Sequence, residues 1–174
     1  GSLSFIESVP VESNRPVRLL FVCLGNICRS PLAEGVFLHL AREAGVEGLF
    51  EVDSAGTGAW HVGEAPDPRS AEVATQHGVK LRGRARSVQA ADFATFDLIL
   101  GMDSDNIRNL ERLPKTDTTR ARVVLFREFD PESDGDLSVP DPYYGGADGF
   151  DRMFDIIHRS CTALLRELLE AHDR

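Results

Sequence analysis

Along the chain, apolar and polar positions alternate between a strand pattern and a helical one. Arg18–Val22 reads as an apolar strand, and Pro31–Ala44 follows as a helix. Its Ala33, Val36, Phe37, Leu40 and Ala44 recur at spacings of three and four, which gives one buried stripe. Gly45 and Gly48 end it. Leu49–Asp53 is a second strand, running into the small-residue segment Ser54-Ala55-Gly56-Thr57-Gly58. Asp67-Pro68 supplies an N-cap and first-turn pair, so a helix is predicted from Pro68 to about Gln76, stopped at Gly78. Phe96–Met102 is a third strand, whose continuous Leu98-Ile99-Leu100 suits a strand covered on both faces. A short helix from Ser104 carries Ile107 and Leu110, Lys115–Arg120 is a polar mobile loop, and Arg122–Phe126 is a fourth strand. Asp130–Pro142, rich in Asp, Ser, Gly and Pro, is loop. The last helix, about Gly149–Ala171, puts Phe150, Phe154, Ile157, Cys161, Leu164 and Leu168 on one face.

Alternating strands and helices imply an α/β fold, a parallel sheet with helices on both faces joined by right-handed crossovers. Ligands in such sheets bind beyond the carboxyl ends of strands. Cys23 sits at one such end, and Asp53-Ser54 and Met102-Asp103, ending the next two strands, should converge on it. A chain of 174 residues, 42% hydrophobic, is long enough for one domain with a substantial core. That domain spans 17–174. Gly1-Ser2 reads as a cloning scar, and 1–16 lacks a clear period, so it is expected to be a flexible N-terminal segment.

Composition narrows the function. No run approaches ~18 apolar residues, so no membrane span is expected. No secretory signal is expected either, since no basic segment followed by an apolar stretch is read near Gly1. A net charge of −9 with only two lysines argues against nucleic-acid binding. Three cysteines make no disulfide framework and suit the reduced thiols of a cytoplasmic protein. The five histidines are scattered without metal-ligand spacing, so neither a metal nor another cofactor is expected.

The candidate chemistry lies in Cys23-Leu24-Gly25-Asn26-Ile27-Cys28-Arg29-Ser30-Pro31, directly after the apolar Leu19-Leu20-Phe21-Val22. A thiol ends a buried strand, Gly25 and Asn26 permit a tight turn, and Ser30-Pro31 opens a helix. A helix N-terminus offers unpaired N–H groups and a partial positive charge, which attract an anion and favour thiolate over thiol. Arg29 adds a full charge. One loop thus joins a nucleophile to a cradle for a tetrahedral oxyanion, as phosphoryl transfer through cysteine requires. A cysteine ending a strand can also be plain core; here the flanking loop and helix start favour catalysis.

These segments resemble the low-molecular-weight protein tyrosine phosphatases over roughly Val17 to Leu169. The landmarks are the Cys23–Pro31 loop, Asp53-Ser54-Ala55-Gly56-Thr57, Trp60, Pro66-Asp67-Pro68-Arg69, Met102-Asp103 and Asp141-Pro142-Tyr143-Tyr144. The resemblance implies a four-stranded parallel sheet of order 2-1-3-4 and hydrolysis of phosphotyrosine in protein substrates, releasing inorganic phosphate. It makes Cys23 the nucleophile, Arg29 a bidentate phosphate clamp and Asp141 the general acid, later the base that activates water. Leu24, Gly25, Asn26, Ile27, Cys28 and Ser30 would form the phosphate loop. Ser30 would donate to the Cys23 sulfur, Asn26 would shape the loop through Ser54, and Trp60, Tyr143 and Tyr144 would wall the aromatic cleft. The chemistry agrees, because a phenolate leaves poorly unless protonated, while the phosphoryl group asks mainly for positioning and charge stabilisation.

His61 reads as a polar rim residue, His77 as helix-end structure and Cys161 as core. Cys28 could either protect an oxidised Cys23 as a disulfide or merely pack under the loop. Some family members pair the glutamate matching Glu34 with a histidine where this chain has Gly83. Two rival activities share the fold. Arsenate reduction needs further thiols to collect the oxidation, and only Cys161 remains. Arginine-phosphate phosphatases carry a small threonine where Ile27 stands, and Ile27 should narrow the pocket toward a flat phenyl ring. A non-enzymatic phosphopeptide-binding module leaves Cys23, Arg29 and Asp141 together unexplained.

Overall fold

The computed structural model describes residues 15–115, 118–144, 146 and 148–172. The segment expected to be flexible lies outside them as far as Asn14, as do two positions of the polar 115–120 loop. Four parallel strands, β1 (Val17–Cys23), β2 (Phe50–Gly56), β3 (Leu98–Gly101) and β4 (Arg122–Leu125), lie in the order β2-β1-β3-β4. The helices are α1 (Arg29–Glu43), α2 (Pro68–Gln76), α3 (Asp92–Thr95), α4 (Ser104–Arg112) and α5 (Gly149–His172). The α/β class and the strand order are those drawn from the sequence and its resemblance.

Strand β1 is apolar at consecutive positions because both its faces are covered. Leu19 and Phe21 join a core with Phe37 of α1 and Ile157 and Leu164 of α5. Leu20 and Val22 point the other way, into a second core with Phe93, Ile99 and Leu110. Side chains so enclosed contribute about 1.5–3 kcal/mol each, so the strand that ends in Cys23 is the best-anchored segment available to carry a site.

Helix α1 begins two residues before the expected Pro31, with Cys28 at its N-cap. Its residues from Arg29 to Phe37 are buried without a break, because β1, β2, α2 and α5 enclose this half. Of the expected stripe, Ala33, Val36 and Phe37 are buried together with their neighbours, Leu40 is half-buried and Ala44 is exposed. Strand β2 runs on past Asp53, since Ser54, Ala55 and Gly56 stay paired with Phe21, Val22 and Cys23. Strand β3 is shorter than expected at its start, where the brief helix α3 precedes it and Phe96 is that helix's C-cap. Short 3-10 turns at Glu47–Leu49, Phe126–Phe129 and Pro142–Tyr144 carry no periodic signal.

The loop after β4 is held from within. Asp130, 4% exposed, accepts from Arg127 Nε at 3.0 Å, from Arg159 Nε and Nη2 at 3.1 and 3.2 Å, and from the Glu132 N–H at 2.9 Å. Arg127 also donates to the Ser138 carbonyl at 2.8 Å, which ties the far end of the same loop. Burial pushes the Asp130 carboxyl upward, but Arg159, the Glu132 N–H and Arg127 outweigh it and hold it below its ordinary value. A depressed carboxylate stabilises the fold above its unfolded value and loses that contribution as pH falls through the folded one. Asp130→Asn should therefore cost about 3–5 kcal/mol at neutral pH, the scale for breaking a buried pair. Denaturant titrations should show the gap from the parent narrowing as pH falls below the ordinary carboxylate range; a pH-independent gap would contradict the ion-pair account.

Candidate active site

Cys23 ends β1 and Arg29 begins α1, so Leu24–Cys28 turn the chain between two buried elements. Neighbouring segments take the loop's carbonyls. Thr57 and Gly58 donate to the Cys23 and Leu24 oxygens at 3.0 and 2.9 Å, Asp67 N–H to Ile27 at 2.7 Å, and Ser70 Oγ to Cys28 at 3.4 Å. A Cβ on Gly56 would stand 2.7 Å from the Leu24 oxygen, so only glycine lets β2 approach this closely. No side chain caps α1 among the described residues, which leaves its first-turn N–H groups available to an anion.

The thiol is embedded in a chain of donors. Ser30 Oγ lies 3.0 Å from Cys23 Sγ, and the Asn26 N–H reaches the sulfur at 3.3 Å. Asn26 sits at φ 57°, in the left-handed region. Its Nδ2 donates to Ser30 Oγ at 2.8 Å, and its Oδ1 accepts the Arg86 N–H at 3.0 Å. Ser30 thus accepts from Asn26 and has its own hydrogen for the sulfur.

Here the geometry departs from the resemblance. Ser54 Oγ donates to Glu34 Oε1 at 2.7 Å, and the loop is braced through Ser30 and Arg86 rather than through Ser54. Glu34 is 6% exposed and needs donors for its buried carboxylate, which is why it captures the hydroxyl. Its second oxygen faces Arg82 Nε at 3.4 Å, so an arginine beside Gly83 supplies the partner that histidine gives some relatives. Burial raises the Glu34 carboxyl above its ordinary value. A recess of about 530 Å³ lies on this Asn26 side of the loop and is lined by neither Cys23 nor Arg29.

The cleft on the Cys23 side is smaller, about 110 Å³, and brings Cys23, Arg29 and Asp141 together with Ile27, Trp60, His61 and Tyr143. Arg29 is 5% exposed, and its Nη1 donates to Asp103 Oδ2 at 2.8 Å and to the Val139 carbonyl at 2.9 Å. Asp103 is fixed in turn by a capping box with Asn106 at the start of α4. The strand-end signal of Met102-Asp103 located Asp103 near the site but not its contact with Arg29. Asp141 Oδ1 accepts the Tyr143 N–H at 3.0 Å. Tyr143 donates its hydroxyl proton to Asp67 Oδ2 at 2.8 Å and accepts from the Cys28 thiol at 3.5 Å. Burial pushes that thiol up to about 11.

Trp60, 73% exposed, stands at the rim, as does Leu24. His61 lies against Gly25, whose Cβ would come within 2.9 Å of the ring, and bonds Glu64 at 2.7 Å. It is more than a rim residue, since it forms part of the cleft lining. Tyr144 belongs to the Pro142–Tyr144 turn, and the expectation for its side chain lies outside the described residues. Cys161 is fully buried in the core, and His77 caps α2 and stacks on Phe154.

Comparison with known proteins agrees with this arrangement. The family model described as low molecular weight phosphotyrosine protein phosphatase matches residues 18–174. A low molecular weight protein-tyrosine-phosphatase of Streptomyces coelicolor is 47% identical over 154 residues, 88% of this chain and 94% of the relative. The crystal structure of a protein tyrosine phosphatase from Entamoeba histolytica superposes with a TM-score of 0.80 at 38% identity, covering 88% of this chain and 97% of that one. A Drosophila arginine phosphatase superposes with a TM-score of 0.79 at 34% identity, covering 85% and 95%. The chain is a phosphatase and belongs to the low molecular weight phosphotyrosine protein phosphatase family.

Removing the brace should be felt by the anion. Asn26→Ala leaves the Arg86 N–H and Ser30 without their buried partner and places alanine at a positive φ. Such losses run at about 1–3 kcal/mol, so the inhibition constant of inorganic phosphate should rise about tenfold. An unchanged constant would show that the loop holds its shape without Asn26.

Proposed function

We propose that the protein hydrolyses phosphotyrosine in protein substrates through a covalent phosphocysteine on Cys23. The observation that carries this reading is that Cys23 and Arg29 of one loop and Asp141, over a hundred residues further along, line one cleft beside the exposed Trp60 and Tyr143 rings. The Cys23 thiolate attacks phosphorus while Asp141 gives its proton to the departing phenolate oxygen. Water then loses a proton to the Asp141 carboxylate and attacks the phosphocysteine, releasing inorganic phosphate and regenerating the thiolate. The loop N–H groups and Arg29 stabilise the equatorial oxygens of each transition state. Leu24, Gly25, Asn26, Ile27, Cys28 and Ser30 form the phosphate loop, and the proposed role of Ser54 is to steady Glu34 behind it.

Ile27 lies in the cleft and favours a flat aryl group over a phosphoguanidine. Phosphotyrosine should therefore be turned over in preference to phosphoarginine, phosphoserine and arsenate when all four are assayed together; faster phosphoarginine hydrolysis would overturn the assignment. Cys23→Ser should abolish turnover while phosphate still binds. Asp141→Asn should lower kcat/KM for phosphotyrosine by about 10²–10⁴, the usual worth of general acid catalysis. It should matter less for an activated aryl phosphate, and equal losses on both would remove Asp141 from the acid role.

The three unpaired thiols support a reducing, cytoplasmic setting. No helix among the described residues is long and apolar enough to cross a membrane. For Cys28 two roles stand side by side, packing under the loop and protecting Cys23, and the protective one has a defined chemistry. Peroxide converts the Cys23 thiolate to a sulfenic acid, and the Cys28 thiol condenses with it, forming a disulfide and releasing water. A dithiol should restore peroxide-treated enzyme, whereas Cys28→Ala should recover poorly; full recovery would leave Cys28 a packing residue.

A further inference from the structure

Asp67, which the sequence marks as a helix cap and as part of the Pro66-Asp67-Pro68-Arg69 landmark, links the phosphate loop, helix α2 and the segment bearing Asp141. Its carboxylate caps α2 by accepting the Arg69 N–H at 2.8 Å and binds the Arg69 guanidinium at 3.1 and 3.0 Å. Its backbone N–H donates to the Ile27 carbonyl of the phosphate loop at 2.7 Å. Its carboxylate also accepts the Tyr143 hydroxyl at 2.8 Å. With the carboxylate 9% exposed, water does not compete freely for any of these.

The other end of the linkage is equally constrained. The Arg69 guanidinium carbon lies 4.6 Å from the Tyr143 ring centre and 4.8 Å from that of Phe150, so the cation paired with Asp67 also stacks on the tyrosine. The thiol of Cys28, within the phosphate loop, reaches the same hydroxyl. Tyr143 in turn donates its N–H to Asp141 Oδ1. One continuous path therefore runs from the Ile27 carbonyl through Asp67 and Tyr143 to the carboxylate of Asp141.

We propose that Asp67 is a positioning residue that sets the distance between the phosphate loop and the proton donor Asp141, acting through the Tyr143 hydroxyl. The inference rests on Asp141 being the general acid. Without the bond, Tyr143 loses its anchor to the loop side of the cleft, and Asp141 no longer holds its place opposite the departing oxygen. Proton delivery suffers; binding of phosphate by the loop and Arg29 does not. The charges around it agree, because burial pushes the Asp67 carboxyl up while Arg69 and Tyr143 outweigh it and keep it below its ordinary value. The acceptor is thus a carboxylate at working pH.

Two variants test the link by different routes. Asp67→Asn keeps a residue that caps helices well but loses the anionic acceptor, and Tyr143→Phe removes the hydroxyl while leaving the cap and the Arg69 stack in place. Misplacement of a catalytic group by about 1 Å can cost up to 10²-fold, so kcat/KM for phosphotyrosine should fall about tenfold in each. For 2,4-dinitrophenyl phosphate, whose leaving group needs little protonation, kcat/KM should fall less than about twofold, because the loss is confined to acid catalysis. The inhibition constant of phosphate should stay within about twofold of the parent's, and the double variant should lose no more than either single one.

A merely structural role would lower both substrates equally and raise the phosphate constant, and that result overturns the proposal. Multiplicative losses in the double variant overturn it too, as does unchanged phosphotyrosine turnover in Tyr143→Phe. Asp141→Asn, measured beside them, separates the two levels. If it shows the steep leaving-group dependence and the Asp67 and Tyr143 variants do not, only the linkage fails. If Asp141→Asn itself lacks that dependence, the acid assignment fails first.

Discussion

The site depends on one ion pair, between the buried Arg29 and the half-buried Asp103. A guanidinium at 5% exposure would be costly without a partner, because desolvating a charge costs several kcal/mol that only close pairing and hydrogen bonds offset. Asp103 and the Val139 carbonyl meet that requirement from two other segments. Val139 is itself hydrogen-bonded to Met102 through its N–H, so the carboxyl end of β3, the loop leading to Asp141 and the first turn of α1 close on a single side chain. The proposed phosphate clamp is thereby oriented before any substrate arrives. Pre-set donors cost little reorganisation as charge develops, which is the main advantage of an electrostatic site.

Around that pair the molecule separates the tasks of holding and reacting. Outward-facing carbonyls of the phosphate loop are bound by Thr57, Gly58, Asp67 and Ser70, while the thiol is surrounded by Asn26 and Ser30. The loop can keep a left-handed residue and an uncapped helix start because β1 and α1 on either side of it are enclosed by core. Local strain of this kind persists only where its surroundings over-determine it. The overall charge of −9 is no obstacle, since binding answers to the field within the cleft rather than to the sum over the surface.

Legibility in the sequence followed the range of the interaction concerned. The helix Pro68–Gln76 could be placed to the residue, because an N-cap, a proline and a closing glycine act within a few positions of one another. The stripe assigned to α1 caught Ala33, Val36 and Phe37 but not the burial of everything between them, which depends on packing by β1, β2, α2 and α5, nor the exposure of Ala44. Asp103 and Asp67 were visible as a strand end and a helix cap, and neither position betrays that Arg29 or Tyr143 will arrive from elsewhere. Ser54 illustrates the opposite hazard, in which a role taken from a resemblance was displaced by a nearer, more demanding acceptor in Glu34.

By itself, then, the sequence determined the alternation of strands and helices, the parallel sheet, and a thiol and an arginine joined by one short loop, all through local periodicity and turn chemistry. Asp141 with its neighbouring tyrosines was singled out by the family resemblance rather than by local pattern. Only the tertiary structure decided which partner each buried polar group takes: Asp103 for Arg29, Ser30 and the Arg86 N–H for Asn26, Arg82 and Ser54 for Glu34, Asp67 for Tyr143. The reason is physical. A buried polar group must find a partner, but several candidates satisfy the same valence, and the choice among them is made by packing between segments as many as 76 positions apart.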